Sequence, residues 1–113
     1  MGADKRPSRN PDSDLVLDER AKTAQPRRYV VIFHNDDYTT QEFVVWVLES
    51  VFRKPRSEAI EVMLHVHLSG IGVAGIYTHD VAETKLKKTR QMAEEQEFPL
   101  LVTMEPDAGP EHE

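Results

Sequence analysis

Tyr29-Val30-Val31-Ile32-Phe33 is an unbroken run of β-branched and aromatic residues that stops abruptly at His34-Asn35-Asp36-Asp37, where the composition becomes turn-forming. The change predicts a first strand and its exit loop. Thr39 precedes Glu42 by three positions, the arrangement of a capping box. Phe43, Val44, Val47, Leu48 and Val51 then recur at helical spacing, so a first helix starts at the loop. Pro55 interrupts it, and Ser57 is placed to cap a second helix, with Ile60, Met63, Leu64, His67 and Leu68 on one apolar face and Gly70 beyond its end. That face directs the His67 imidazole toward apolar surroundings. Ile71 to Tyr77 is small or β-branched and predicts a second strand, whose Gly72 and Gly75 admit close approach of a neighbouring backbone. Asp80 and Glu83 form a second pair of the capping-box kind, and Ala82, Lys85, Leu86, Thr89 and Ala93 mark one face of an amphipathic third helix. Phe98 to Met104, with Pro99 near its start, predicts a third strand. The order is β-α-α-β-α-β, an α+β domain in which a small three-stranded antiparallel sheet packs against three helices on one face.

Outside this pattern the chain changes character. Residues 1–28 hold Pro7, Pro11 and Pro26 among Ser, Asp, Lys and Arg and read as a flexible N-terminal extension. Its single apolar island, Leu15-Val16-Leu17, is either part of a solubilising tail or a docking peptide. The core domain is expected over residues 29–105, and residues 106–113 read as a disordered acidic tail in which Pro106 and Pro110 block regular structure. With 113 residues there is room for one small domain and one site. The absence of cysteine removes disulfides, thiolate metal sites and Cys nucleophiles, and it fits a reducing compartment. No run approaches the ~18 apolar residues of a membrane span, and no secretory signal is evident, so a cytoplasmic protein without a membrane partner is expected. The net charge is −6, and it is unevenly placed: +2 up to Arg28 and −8 after it. An acidic domain repels phosphates, which argues against nucleic acid and for a cationic or amine-bearing partner.

Asn35, Asp36 and Asp37 stand where a strand runs into a capped helix, and such residues serve equally as Asx-turn formers and as exposed acceptors. His67 is either a satisfied core histidine or a ligand-facing one. His65 and His67 are two apart on a helix, on diverging faces, which is poor spacing for a metal pair, so no metal or other cofactor is expected. No nucleophile elbow, phosphate-cradling loop or dinucleotide fingerprint is present, and adjacent Asp36 and Asp37 make a weak case for paired-carboxylate hydrolysis. If the loop and His67 face one cavity, Asn35, Asp36 and His67 supply polar contacts over an apolar floor of Thr39, Val44, Met63 and Val66. Such a cavity suits a protonated amine beside a hydrophobe.

Tyr29 to Thr39, Glu42-Phe43-Val44-Val45, Met63-Leu64-His65-Val66-His67 and Val81 to Lys85 together resemble the ClpS adaptors of the bacterial N-end rule, over Tyr29 to Glu105. The resemblance implies an adaptor, not an enzyme. Such an adaptor captures N-degron proteins by a free α-amino group and a bulky first residue (Leu, Phe, Tyr or Trp) and delivers them to a ClpA-type unfoldase that feeds ClpP. It further implies that Asn35, Asp36 and His67 contact the α-amino group and that Asp37, Thr39, Val44, Met63, Val66 and Leu100 shape the pocket. Asp80, Glu83 and Lys85 match the family's unfoldase-docking edge, although as residues they also read as helix capping and a solvated face. The family commonly has Pro-Met where this chain has Thr40-Gln41, so Gln41 brings an amide to the pocket rim and the ranking of first residues is open. An Asp/His acid-base or metal-dependent hydrolase, and an interaction domain that reads no termini, are the alternatives.

Overall fold

The computed structural model describes residues 27–108, so most of the expected extension and the end of the expected tail lie outside the described residues. Strand β1 (Arg28–His34) is central and pairs antiparallel with β2 (Ile71–Thr78) on one side and β3 (Leu101–Pro106) on the other. Helices α1 (Gln41–Ser50) and α2 (Arg56–Ser69) lie between β1 and β2, and α3 (His79–Glu95) joins β2 to β3. The expected order β-α-α-β-α-β and the antiparallel three-stranded sheet are borne out. Both outer boundaries are wider than expected: Arg28 pairs with Thr78, and Pro106 pairs with Tyr29 at the end of β3.

The alternation along β1 sends Val31 and Phe33 to the helix side, where they are fully buried with Val47 and Leu48 of α1 and Val102 of β3. Each such side chain contributes on the order of 1.5–3 kcal/mol relative to an exposed one, so the core sits between the sheet, α1 and α3. The predicted α1 face is correct: Phe43, Val44, Val47, Leu48 and Val51 are all buried. On α3 the buried residues are Ala82, Leu86, Thr89 and Ala93, with Lys85 half-buried beside them. The opposite sheet face is open and carries half-exposed Ile71, Val73, Ile76 and Leu101.

α2 departs from its predicted face. Its buried residues are Ala59 and Val66, with Ile60, Val62 and Met63 packed partly against the core, whereas Leu64 is 43% and Leu68 79% exposed. Apolar residues stand all round this helix, so their periodicity did not select a face. The choice falls to small residues that allow close approach: a Cβ built on Gly72 of β2 would lie 2.5 Å from Val66 Cγ2. His67, expected toward the apolar side, is consequently exposed.

The helix starts also differ. Thr40, not Thr39, caps α1, its Oγ1 accepting from Phe43 N–H at 3.1 Å. Glu42 therefore sits in the first turn, where its charge favours the helix dipole. α2 begins directly after Pro55, whose carbonyl accepts from Ala59 N–H at 2.9 Å, so Ser57 lies inside the helix and caps nothing. α3 begins at His79 without a side-chain cap, and Asp80 occupies its first turn. β3 starts at Leu101 rather than Phe98, because α3 closes with Glu97 at φ 60°, Glu97 N–H donating to Glu94 O and Phe98 N–H to Ala93 O. That Schellman arrangement consumes the residues expected to open the strand.

Candidate functional site

β1 ends at His34, whose register partner on β2 is Ile71, and the next residue, Asn35, donates its backbone N–H to Gly70 O at 2.8 Å. Gly70 is the C-cap of α2 and adopts φ +95°, a left-handed conformation that costs a residue with a Cβ about 1–2 kcal/mol. This tight reversal brings the last two turns of α2, with Met63, Val66 and His67, alongside the loop that leaves β1. Between them lies a cavity of about 230 Å³ lined by Asn35, Asp36, Asp37, Thr39 and Gln41 from the loop and the start of α1. Val44, Met63, Val66 and His67 complete its wall. Nine residues singled out from the sequence for amine and side-chain contacts thus share one cavity. Leu100 does not line it; it is 7% exposed and belongs to the core cluster.

Asp36 organises the loop. Its Oδ1 accepts from Tyr38 N–H at 2.8 Å and Thr39 N–H at 2.7 Å, and its Oδ2 accepts from the Thr39 hydroxyl at 2.8 Å. Burial is the largest single influence on its carboxyl and pushes the pKa up, but the three hydrogen bonds together outweigh it and hold the group below its ordinary 3.8. Asp36 is therefore an Asx-turn former and a fixed negative charge at once. Among the described residues, neither the Asn35 amide nor the His67 ring makes a side-chain hydrogen bond. Both are exposed on the cavity wall. The arrangement offers a cation acceptors at the wall and aliphatic surface from Val44, Met63 and Val66, the chemistry of an amine next to a hydrophobic group. His65 lines a different cavity, with Ile32 and Val73 of the open sheet face, so the two histidines serve separate surfaces.

The three residues assigned to docking do not stay together. Asp80 is almost wholly exposed and Glu83 partly so, at the start of α3, where His79 Nδ1 lies 3.4 Å from Asp80 Oδ1 and 4.0 Å from Glu83 Oε1. Lys85 turns inward instead: its Nζ donates to Val51 O at 2.7 Å and stands 5.3 Å from the Tyr77 ring centroid and 5.8 Å from that of Phe52. This ammonium ties α3 to the end of α1. Lys85→Ala is expected to lower folding stability by about 2 kcal/mol, from a charged hydrogen bond plus cation–π contacts. Urea denaturation of the variant measures this directly; unchanged stability would show that the tether contributes nothing.

Residues 24–103 match the family described as ATP-dependent Clp protease adaptor protein ClpS. The chain belongs to the ClpS family. It is 51% identical over 100 residues to the ATP-dependent Clp protease adapter protein ClpS of Myxococcus xanthus, covering 87% of this chain and 94% of that one. It is likewise 51% identical over 94 residues to the ClpS of Desulfatibacillum aliphaticivorans, covering 83% and 90%. Among solved structures it is similar to Agrobacterium tumefaciens ClpS2 bound to L-phenylalaninamide, with a TM-score of 0.71 and 41% identity, over 74% of this chain and all of that one. ClpS proteins are adaptors of the Clp protease, not enzymes. Within this ClpS-family chain, no helix among the described residues is long and apolar enough to cross a membrane.

Sequence reasoning missed two features. The inward side of Lys85 was legible in its place on the Ala82-Leu86-Thr89-Ala93 face, but its acceptor, Val51 O, is 34 residues away and was not. Trp46 did leave a trace: it stands off the buried stripe of α1, and it is 51% exposed.

Proposed function

We propose that this adaptor captures proteins by a free α-amino group and a bulky hydrophobic first residue, and delivers them to a ClpA-type unfoldase for degradation by ClpP. The observation that carries the proposal is the cavity in which Asn35, Asp36 and His67 stand beside the aliphatic surface of Val44, Met63 and Val66. L-Phenylalaninamide, the molecule bound by the Agrobacterium relative, joins a free α-amine to a phenyl side chain and a blocked carboxyl, so it stands in for the first residue of a peptide. In this reading Asn35 and His67 contact the ammonium through their side-chain polar atoms. Asp36 supplies countercharge while holding Thr39, and Asp37, Thr39 and Gln41 shape the rim. Leu100 acts from behind, through the core that backs the cavity.

Asp80 and Glu83 are the exposed part of the surface offered to the unfoldase, and Lys85 supports that surface by anchoring α3. In a reconstituted ClpA–ClpP system, the adaptor should speed degradation of a Leu- or Phe-initiated reporter several-fold and leave its Ala-initiated twin unchanged. Equal rates for the two reporters would overturn the proposal.

A further inference from the structure

A second cavity, about 360 Å³, opens between α1 and α2 on the far side of Gln41 and Met63. Those two residues line both cavities and form a wall they share. The new cavity is floored by Val45, Ile60 and Met63, and Trp46 stands at its side, half exposed. Glu42, Glu49 and Arg56 also line it, and Arg56 pairs with Glu49 at 3.5 Å, so the charges lie beside an apolar floor. Trp46 lies tilted against Phe43, with ring centroids 6.0 Å apart and ring planes at 44°, so the indole is oriented rather than free. An oriented, half-exposed indole over an aliphatic floor is a surface that gains by being covered.

We propose that this groove is a second subsite of the adaptor, which takes an apolar or aromatic side chain from positions two to four of the captured peptide. The inference rests on the reading of the first cavity as the seat of the α-amino group. Its occupant follows from continuity: a chain whose first side chain lies against Met63 and whose backbone passes Gln41 enters the adjoining groove, at about 3.3–3.6 Å per extended residue. Gln41 lines both cavities and can hydrogen-bond the passing peptide backbone through its amide. Selectivity is accordingly read at two places, the first residue and one hydrophobe close behind it.

Calorimetry with unlabelled peptides that lack Trp tests this: Leu followed only by Ala and Ser, the same peptide with Phe at position two, three or four in turn, and the N-acetylated form of each. At one of those positions Phe is expected to tighten binding about tenfold, as burial of an aromatic side chain implies. Trp46 is the only tryptophan in the chain, so its emission reports the groove directly and should shift to the blue with the Phe peptide and not with the Ala peptide. In Trp46→Ala the ratio of the two affinities should fall to within about twofold. Equal affinities for Ala and Phe peptides, or a Phe gain that persists in Trp46→Ala without any emission shift in the parent, would overturn the subsite. Indifference to N-acetylation would instead remove the reading of the first cavity, so the two failures are told apart.

Discussion

Acetylating the α-amino group of a Leu- or Phe-initiated peptide is expected to weaken its binding by at least about 100-fold, roughly 3 kcal/mol, measured by calorimetry. Acetylation removes the charge and all but one of the N–H donors that Asn35 and His67 are placed to receive, and it leaves the negative charge of Asp36 without a counterpart. Charge-assisted hydrogen bonds contribute about 1.5–3 kcal/mol each, whereas the hydrophobic side chain is untouched by the change. Asn35→Ala and His67→Ala should each cost about tenfold for the free peptide and almost nothing for the acetylated one. Because both residues address one ammonium, their effects should couple by more than about 0.5 kcal/mol in a double-mutant cycle. The α-amino group has an ordinary pKa of about 7.7–8.0, so affinity should decline as pH rises above about 8, when the protonated form is depleted. Affinity independent of both acetylation and pH would mean that the cavity reads only the side chain.

Asp36→Ala is expected to be the most disruptive single change in the loop, with a stability loss of about 2–3 kcal/mol and no measurable peptide binding. It deletes the acceptor for two backbone N–H groups and one hydroxyl at a single stroke, and Thr39, which lines the cavity, loses its anchor. Asp36→Asn separates structure from charge. The amide oxygen can still accept from Tyr38 and Thr39 N–H, and the Thr39 hydroxyl can rotate to accept from the amide NH₂. That variant should therefore lose only about 1 kcal/mol of stability yet bind the free α-amine about tenfold more weakly. The pH dependence has a definite sign. Asp36 has a folded-state pKa below its ordinary 3.8, so its contribution is fully present above that value and is lost as pH falls through the lowered folded value. Between about pH 6 and pH 2 the parent should lose more stability than Asp36→Asn. If Asp36→Asn binds as the parent does, the carboxylate is only a turn former.

Much of this architecture can be read from local strings. The β-branched run before Asn35, the spacing of Phe43 to Val51 and the Ala82-Leu86-Thr89-Ala93 stripe each specify an element and its buried side, because each has one strong apolar period. α2 did not yield in the same way. With Leu64 and Leu68 as apolar as Val62 and Val66, its face is settled by which side chains fit against Gly72 and α1, a question of shape rather than hydropathy. Capping positions slipped by one or more residues for a similar reason. Thr39 and Thr40 are chemically equivalent caps, and Asp36 decides between them by binding Thr39.

The residue types of the site were fixed by the sequence: an Asn-Asp-Asp loop after a strand, a histidine near the end of a helix, and a methionine and valines at matching spacing. Their meeting was not. Asn35 and His67 are far apart along the chain and face one cavity because β1 pairs with β2 from His34 opposite Ile71, and because Gly70 turns the chain back in a conformation side chains resist. The same long-range packing turned Lys85 inward and left the groove beside Trp46 open. Hydropathy and turn chemistry act over a few residues, so they choose the elements. Contacts between elements depend on sheet register and side-chain shape across distant segments, and only the folded chain brings those together.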